Sequence, residues 1–199
     1  RGASELIYKE PLQFSKLKTK WFYLAPLTGL LCDNFAGIVD FASQRGIKIA
    51  ANPSMAQLSL PDFPDIVKKI NVLFLNQEEA SFLTKIPFEN EHDIFASLDQ
   101  MFPGILVMTK GGEGVSVSDN HFIYRAVPPP ERIVADTTGA GDSFASGFLS
   151  EYMRTGNVEA SIQLGMANSV GCLSSLGAKN GLLKKGQTYQ KVEVKKEEL

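Results

Sequence analysis

Cysteine is scarce in this sequence, which contains only Cys32 and Cys172. Two thiols cannot supply a disulfide framework or a zinc site of four cysteines. We therefore expect both side chains to be buried and reduced, as is typical of an intracellular protein. The two histidines, His92 and His121, have no partners at metal-ligand spacing, so we expect neither to bind a metal or to act in catalysis.

An excess of charge of one sign and long apolar runs are also absent. The chain has 20 basic and 22 acidic residues, a net charge of −2 and a pI near 5.8, which argues against nucleic acid as a partner. No apolar run approaches the about 18 residues that a membrane span requires. We expect a cytoplasmic protein that binds neither nucleic acid nor a membrane.

The composition suits a globular chain, with 199 residues, 44% hydrophobic and 21% charged. This length favours a single domain with a buried core, here residues 1–199, with 184–199 as a solvated tail that contains at most one short strand. Short apolar runs alternate with amphipathic stretches. The alternation predicts an α/β fold with a mostly parallel sheet that helices cover on both faces.

The pattern also predicts individual elements. The predicted strands are Trp21–Leu24, Ile47–Ala51, Asn71–Leu75, Ile105–Thr109 and a hairpin over Val115–Val127 that turns at Asp119-Asn120. The predicted helices are Asn34–Gln44 with Asp33 as its cap, Ile66–Ile70, a helix from the cap Asn76 through Lys85, Glu91–Met101, Gly141–Met153 and Val158–Leu176.

The most informative segment begins at Asp136 and reads Asp-Thr-Thr-Gly-Ala-Gly-Asp, followed by Ser-Phe-Ala-Ser-Gly. Its small residues permit a tight turn, and an amphipathic helix follows, so free N–H groups lie at a helix N-terminus that attracts anions. A carboxylate at Asp142 would repel a phosphate that is merely bound, but it could take a proton from a hydroxyl that attacks phosphorus. The sequence contains no P-loop motif. The alternative is that Asp142 only caps a helix and the glycines only form a turn.

This segment closely resembles the second signature of the ribokinase-like (PfkB) carbohydrate kinase family. Shorter pieces of the chain fall in the family's order. They are the turn Asn52-Pro53-Ser54, the motif Asn76-Gln-Glu-Glu79, the loop Thr109-Lys-Gly-Gly-Glu-Gly114-Val115 and the pair Ala167-Asn168. The resemblance extends from about Trp21 to Leu183 and implies the family's doubly wound fold.

The resemblance implies an ATP-dependent kinase that phosphorylates a hydroxyl of a sugar, sugar phosphate or nucleoside. Asp142 would be the general base, and Gly139, Ala140 and Gly141 would form the anion hole. The residues implied to bind the nucleotide are Asn76, Thr109, Lys110, Gly111, Gly112, Gly114 and Asn168.

The resemblance also implies metal ions. Glu79 and Asn76 would hold Mg²⁺ through water, because this ion keeps most of its hydration shell. Asp136 and Thr138 align with positions that bind a monovalent cation in potassium-activated relatives, so K⁺ is a further expected cofactor.

Several of these residues have simpler explanations that remain open. Asn76 is a natural helix N-cap with Glu79 at the third helical position, as in a capping box. The glycines between Gly111 and Gly114 could form a hairpin turn. Asn168 could bond to a neighbouring backbone group, and Lys110 could be solvated.

The chain differs from the family in its N-terminal part. Members are usually longer and carry an N-terminal Gly-Gly signature, most acceptor-binding residues and a β-sheet lid. None of these occurs before Trp21, so we interpret Arg1–Lys20 as the end of a missing part and the domain as incomplete, without its lid. We expect weak or no sugar phosphorylation from this chain alone, and a homodimer only if the lid is present.

Two other functions were compatible with part of the sequence. A nucleotide-binding fragment or regulatory pseudokinase would keep the fold without sugar phosphorylation, but Asp142 and the anion-hole glycines argue against it. A dinucleotide-dependent oxidoreductase requires a Gly-x-Gly-x-x-Gly turn, and Gly112-Glu-Gly114 lacks the third glycine. The turn Asn52-Pro53 favours a plain sugar over a nucleoside as the acceptor.

Overall fold

Strands and helices alternate along the part of the chain that this computed structural model describes, residues 17–27 and 30–199. Of the predicted N-terminal remnant Arg1–Lys20, residues 1–16 lie outside the described ranges. The chain divides into two compact units. The first extends to Met108 and includes Ser118–Asn120, and the second comprises Thr109–Val117 and His121–Leu199.

The first unit alternates between strands and helices. Its elements in chain order are β1 (Trp21–Leu24), α1 (Leu30–Asp33), α2 (Phe35–Gln44), β2 (Lys48–Ala51), α3 (Met55–Leu58), α4 (Phe63–Ile66), a 3₁₀ turn (Val67–Lys69), β3 (Val72–Asn76), α5 (Gln77–Thr84), α6 (Glu91–Met101) and β4 (Ile105–Thr109). These strands are neighbours in the order β1-β2-β3-β4. β1 pairs with β2 and β2 with β3 in parallel, and helices separate these strands along the chain because a parallel pair needs a crossover connection.

Aromatic side chains fill the core of the first unit. Phe35 of α2, Phe63 of α4 and Phe95 of α6 are fully buried, as is Phe102 after α6. β2 and β3 bury every side chain except one at an end of each strand. Continuous burial of this kind is typical of strands that are covered on both faces.

The second unit combines a group of neighbouring strands with a pair of long helices. Its elements are a 3₁₀ turn (Gly111–Glu113), β5 (Val115–Ser118), β6 (Phe122–Ala126), α7 (Ala140–Thr155), α8 (Val158–Leu173) and β7 (Val194–Glu198). The strands are neighbours in the order β5-β6-β7, and β7 is antiparallel to β6 with Phe122 opposite Glu198. The chain turns between β5 and β6 at Asn120, whose φ is 67°, as the sequence predicts.

Glycine allows α7 and α8 to approach each other closely. A Cβ atom at Gly147 of α7 would lie 2.8 Å from the Leu164 carbonyl oxygen, and one at Gly165 of α8 would lie 3.0 Å from the Phe144 carbonyl oxygen. The helix backbones are therefore in direct contact at these positions, and any larger residue would push them apart.

Two helix starts differ from the sequence-based prediction. Asp33 does not cap α2: it ends α1, and Asn34 is the N-cap residue, whose side chain forms no cap hydrogen bond to the helix. The helix predicted over Ile66–Ile70 begins earlier, at Phe63, and continues as the 3₁₀ turn. In both cases the helix forms without the side-chain cap that a sequence pattern can detect.

The end of α8 and the tail also differ in part. α8 ends at Leu173 rather than Leu176, and the Leu173 carbonyl accepts the N–H of Ala135 at 2.8 Å. The tail after Lys184 contains one strand, β7, and the sequence predicts at most one short strand there. The Gln163 side chain of α8 also bonds to the Val192 carbonyl at 2.7 Å and to its N–H at 2.9 Å, so the tail is not wholly solvated.

Both cysteines are buried and free of disulfides, as predicted. Over residues 17–27 and 30–199, every helix is too short or too polar to cross a membrane.

The close contact of α7 and α8 gives a stability prediction. Gly147→Ala is expected to lower the free energy of unfolding by about 1–3 kcal/mol, because the added methyl group overpacks the interface. Gly37→Ala in α2 is the control, since no atom lies within 4 Å of its added Cβ. There the higher helix propensity of alanine should stabilise the protein by about 0.5–1 kcal/mol. Urea unfolding measures both changes, and effects of the same sign would contradict the packing described above.

Candidate functional site

Helix α7 begins with backbone N–H groups that have no partner within the helix. Gly139 is the N-cap residue and adopts φ 80°, a conformation that favours glycine, and a Cβ there would lie 2.7 Å from the Ala178 side chain. The first helical bond joins the Ser143 N–H to the Gly139 carbonyl at 2.8 Å. The N–H groups of Gly141 and Asp142 therefore reach no helical carbonyl, and this end of the helix attracts anions.

Asp142 is the acidic residue in the first turn of α7. Its side chain is exposed, and no residue within 17–27 and 30–199 forms a hydrogen bond or ion pair with it. Ala140, two residues earlier in the same turn, donates its N–H to the Thr137 carbonyl at 3.3 Å. A carboxylate with open lone pairs at such a helix end can accept a proton from a hydroxyl group.

The loop before α7 is fixed by the carboxylate of Asp136. One oxygen, Oδ1, accepts the N–H of Thr138 at 2.9 Å, and the other, Oδ2, accepts the N–H of Gly177 at 2.9 Å. These bonds, that from Thr138 first, lower the pKa of the Asp136 carboxyl below its usual value. The loop that leads to Gly139 is thereby attached to the turn that follows α8.

The thiol of Cys172 lies near two backbone carbonyl oxygens, those of Thr138 and Ala178. Its Sγ atom is 3.6 Å from the Thr138 oxygen and 3.6 Å from the Ala178 oxygen. The two carbonyls and the nearby Asp136 carboxylate are hard oxygen donors, the type that binds alkali and alkaline-earth cations. Asp136 and Thr138, predicted together from sequence, are thus neighbours in the structure.

The predicted nucleotide loop follows β4 as a tight turn. The Lys110 N–H donates to the Gly114 carbonyl at 2.8 Å, and the Gly114 N–H donates to the Gly111 carbonyl at 3.2 Å. Gly111 has φ 54° and Gly114 has φ 97°. A Cβ at Gly114 would lie 2.0 Å from the Ala126 carbonyl oxygen. The loop therefore packs directly on the end of β6, and its glycines form the turn that the sequence left as an alternative.

The sequence motifs did not include Arg132, which contacts this loop. Its Nη2 atom lies 3.5 Å from the Gly112 carbonyl oxygen, and its Nη1 atom lies 3.1 Å from the Pro129 carbonyl oxygen. No pattern of residue types around Arg132 signals the contact, because it joins segments that are 20 residues apart.

Asn168 forms hydrogen bonds to the protein with both ends of its amide. Its Nδ2 donates to the Ser143 carbonyl at 2.7 Å and to the Ser146 hydroxyl at 3.2 Å, and its Oδ1 accepts the Leu183 N–H at 3.0 Å. Its side chain is buried, so its polar atoms are used to hold α8 against the first turn of α7. This geometry favours the backbone-bonding role that the sequence left open.

A cavity of about 210 Å³ lies beside Ala167, the residue before Asn168. Its lining residues include Met166, Ala167, Val170 and Leu183. Gln187, Thr188, Tyr189 and Gln190 line it as well, so the cavity has a mixed apolar and polar lining.

Asn76 and Glu79 lie in the first unit at the start of α5, where they form a capping box. The Asn76 side chain accepts the Glu79 N–H at 2.8 Å, and Glu79 Oε2 accepts the Asn76 N–H at 2.8 Å. Burial raises the pKa of the Glu79 carboxyl, and the bond from Asn76 opposes this shift in part. The predicted N-cap is confirmed, and Glu79 Oε1 takes no part in the box.

The turn Asn52-Pro53-Ser54 lies at the end of β2. Ser54 caps α3 with a second capping box, in which the partner is Gln57. Gln57 is fully buried, and its Oε1 also accepts the Leu27 N–H at 2.8 Å. The turn is thus joined to the segment that follows β1.

The structure brings several predicted site residues together in the second unit. At the start of α7 they are Asp136, Thr138, Gly139, Ala140, Gly141 and Asp142, and Asn168 bonds to the same turn. The loop after β4, in the same unit, contains Thr109, Lys110, Gly111, Gly112 and Gly114. Within the described ranges, 17–27 and 30–199, no group of three or more His, Cys, Asp or Glu residues could hold a metal ion. A divalent cation here would therefore take most of its ligands from water and a bound ligand.

Comparisons with known proteins identify relatives that are named as sugar or nucleoside kinases. The cytidine kinase of Thermococcus kodakarensis is 27% identical over 181 residues, which are 88% of this chain and 63% of that protein. The ribokinase of Haemophilus influenzae is 26% identical over 164 residues, which are 77% of this chain and 50% of that protein. The chain therefore spans 50% and 63% of the length of these two relatives.

Solved structures share the fold. The Arabidopsis thaliana ribokinase complexed with ribose and ATP has a TM-score of 0.69 and 19% identity, covering 80% of this chain and 51% of that chain. The nucleoside kinase of Methanocaldococcus jannaschii has a TM-score of 0.68 and 20% identity, covering 84% of this chain and 54% of that chain. The predicted ribokinase-like α/β fold is confirmed. Residues 10–185 match the family described as pfkB family carbohydrate kinase, and because this match includes most of the chain, the chain belongs to that family.

Proposed function

We propose that this chain is the nucleotide-binding and catalytic part of an ATP-dependent phosphotransferase. The enzyme would transfer the γ-phosphoryl group of ATP to a hydroxyl of a sugar or a related small molecule. The observation that carries the proposal is the start of α7, where unpaired N–H groups and the unpartnered carboxylate of Asp142 occur in one helical turn.

The proposed chemistry needs one proton acceptor and one anion site. Asp142 accepts the proton of the acceptor hydroxyl while the hydroxyl oxygen forms a bond to the γ-phosphorus. The bond between the γ-phosphorus and the bridging oxygen breaks, and ADP leaves. The N–H groups of Gly139, Ala140 and Gly141 would stabilise the negative charge on the transferred group. The Gly141 N–H has no helical acceptor, whereas the Ala140 N–H donates to the Thr137 carbonyl at 3.3 Å and would be shared with the phosphate.

The nucleotide would be held by the loop Thr109–Gly114. Its glycines leave bare backbone against which ribose and phosphates can lie, and Lys110 adds a cation. The cavity beside Ala167 offers apolar side chains against which an adenine ring would lie, together with polar residues between Gln187 and Gln190. Asn168 would act here by fixing the position of α8 rather than by direct hydrogen bonding.

Two cations are proposed as cofactors. Asn76 and Glu79 fit Mg²⁺ held through water, because Glu79 Oε1 is not used by the capping box and oxygen donors suit this ion. Asp136 and the Thr138 carbonyl fit a monovalent cation such as K⁺, which would strengthen the loop that leads to Gly139.

The acceptor is proposed as a sugar or a nucleoside, since the relatives are named ribokinase and cytidine kinase. The relatives are longer than this chain, so acceptor binding and a homodimer would depend on parts that these residues do not include. The alternative is a nucleotide-binding fragment or regulatory pseudokinase without sugar phosphorylation. The proposed location of the enzyme is the cytoplasm.

The role of Asp142 gives the first functional prediction. In the complete protein, Asp142→Asn should lower kcat by about 10²–10⁴-fold, because the amide cannot accept the hydroxyl proton. The affinity for ATP should stay the same or rise, because a negative charge near the phosphates is removed. ADP release with ribose, fructose, cytidine and adenosine measures turnover, and calorimetry measures ATP binding.

Glu159→Gln is the matched control, since Glu159 is an exposed first-turn acid of α8 without a comparable loop before it. It should leave both kcat and ATP binding unchanged. Normal turnover in Asp142→Asn would contradict the proposed base. ATP binding by the unchanged complete protein without turnover on any acceptor would favour the pseudokinase instead.

Glu79 gives a prediction that separates stability from metal binding. Glu79→Gln keeps an oxygen that can accept the Asn76 N–H, so the cap survives, and it removes a carboxylate whose burial is unfavourable. Because the folded-state pKa of Glu79 is raised, its ionised form destabilises the protein above that pKa. The variant should therefore be as stable as the parent or more so at pH 7, and the difference should vanish below about pH 4, where Glu79 is protonated in both states.

The same variant should raise the Mg²⁺ concentration needed for half-maximal turnover by about 10-fold, as is usual when an outer-sphere ligand is lost. Glu159→Gln, again the control, should change neither property. Thermal unfolding at several pH values and a Mg²⁺ titration give the two measurements. An unaltered Mg²⁺ requirement in Glu79→Gln would limit Glu79 to its capping role.

A further inference from the structure

Arg132 joins the nucleotide loop to the segment that leads into α7. The guanidinium contacts the Pro129 carbonyl through Nη1 at 3.1 Å and the Gly112 carbonyl through Nη2 at 3.5 Å. The first distance is that of a normal hydrogen bond and the second is long. Hydrogen bonds at binding sites are often long without ligand and shorten when the ligand is bound.

The shape of the loop explains why an arginine fits there. A Cβ at Gly112 would lie 3.3 Å from Arg132 Nη2, so the guanidinium lies close against bare backbone. The Arg132 N–H also donates to the Pro129 carbonyl at 3.3 Å, which closes a turn at the base of the side chain. The planar guanidinium can bond to two acceptors in fixed directions, which a lysine ammonium on a flexible stem cannot do.

Arg132 also lines a cleft of about 680 Å³ together with Arg125, Lys191, Lys195 and Glu193. The cleft is therefore rich in positive charge. Arg125 forms an ion pair with Glu197 of β7, whereas the contacts of Arg132 are to backbone carbonyls. The two arginines thus contribute a similar charge to one cleft, and Arg132 contacts the loop Thr109–Gly114 at the Gly112 carbonyl.

We propose that Arg132 is a nucleotide-positioning residue that holds the loop Thr109–Gly114 against the segment before α7. It sets the affinity for ATP and takes no part in phosphoryl transfer. The inference rests on the proposed function, since it takes this loop as the nucleotide-binding loop. It adds a residue that lies outside each sequence motif described above.

The test compares three variants in ATP binding by calorimetry and in steady-state kinetics. Arg132→Gln should weaken ATP binding by about 10-fold, the usual effect of losing a hydrogen bond from a charged donor, and raise KM for ATP. KM for the acceptor and kcat at saturating ATP should not change. Arg132→Lys keeps the charge but cannot bridge both carbonyls, so it should bind ATP nearly as weakly as Arg132→Gln. Arg125→Gln removes a charge from the same cleft and should leave ATP binding unchanged.

Hydrogen–deuterium exchange without nucleotide gives an independent readout. The loop after β4 should exchange faster in Arg132→Gln than in the parent, while β6 should be unaffected. Full ATP affinity in Arg132→Lys, or an equal loss in Arg125→Gln, would show that charge rather than the bridge matters and would overturn the inference. Absence of ATP binding by the unchanged protein would contradict the proposed function as well, whereas binding that Arg132→Gln leaves intact would contradict this inference alone.

Discussion

The carboxylate of Asp136 is the interaction on which the candidate site depends. It accepts one N–H from Thr138 and one from Gly177, at 2.9 Å each, so the loop before α7 is attached to the turn after α8. With the loop fixed, Gly139 can begin α7 in a left-handed conformation against Ala178, and the N–H groups of Gly141 and Asp142 have no helical acceptor. An anion-binding helix end is useful only if it is rigid before the anion arrives, because reorganisation during the reaction would cost part of its stabilising energy.

Asp136 and Asp142 show how one short segment gives two carboxylates different tasks. Asp136 is surrounded by backbone donors, which favour its ionised form and lower its pKa. Asp142 has no partner among the described residues. A carboxylate that is saturated with donors makes a good structural anchor and a poor base, whereas an unpartnered one keeps lone pairs available for a proton. The division of tasks follows from the hydrogen bonds alone.

Local signals in the sequence were enough to predict the elements that local interactions determine. Asn76 and Glu79 cap α5 through atoms three residues apart, and Gly46 has φ 67° just beyond the end of α2; both could be expected from residue type. The end of α8 at Leu173 could not, because its carbonyl bonds to Ala135 in a distant segment. For the same reason the sequence did not single out Arg132 or predict the bonds of Asn168 to Ser143 and Leu183, which join residues far apart in the chain.

Gly114, Gly139 and Gly147 are poor evidence of activity when they are taken alone, because the fold also requires them. Gly114 lies against the Ala126 carbonyl, Gly139 against Ala178 and Gly147 against Leu164, so a chain that kept the fold and lost the chemistry would still need these glycines. Asp142 differs, since its carboxylate supports no contact within the described residues. Its interaction with the helix macrodipole is worth about 0.3–1 kcal/mol, which many first-turn residues could replace. The presence of a carboxylate at this position is therefore better explained by the proton that a phosphoryl acceptor must lose than by the stability of α7.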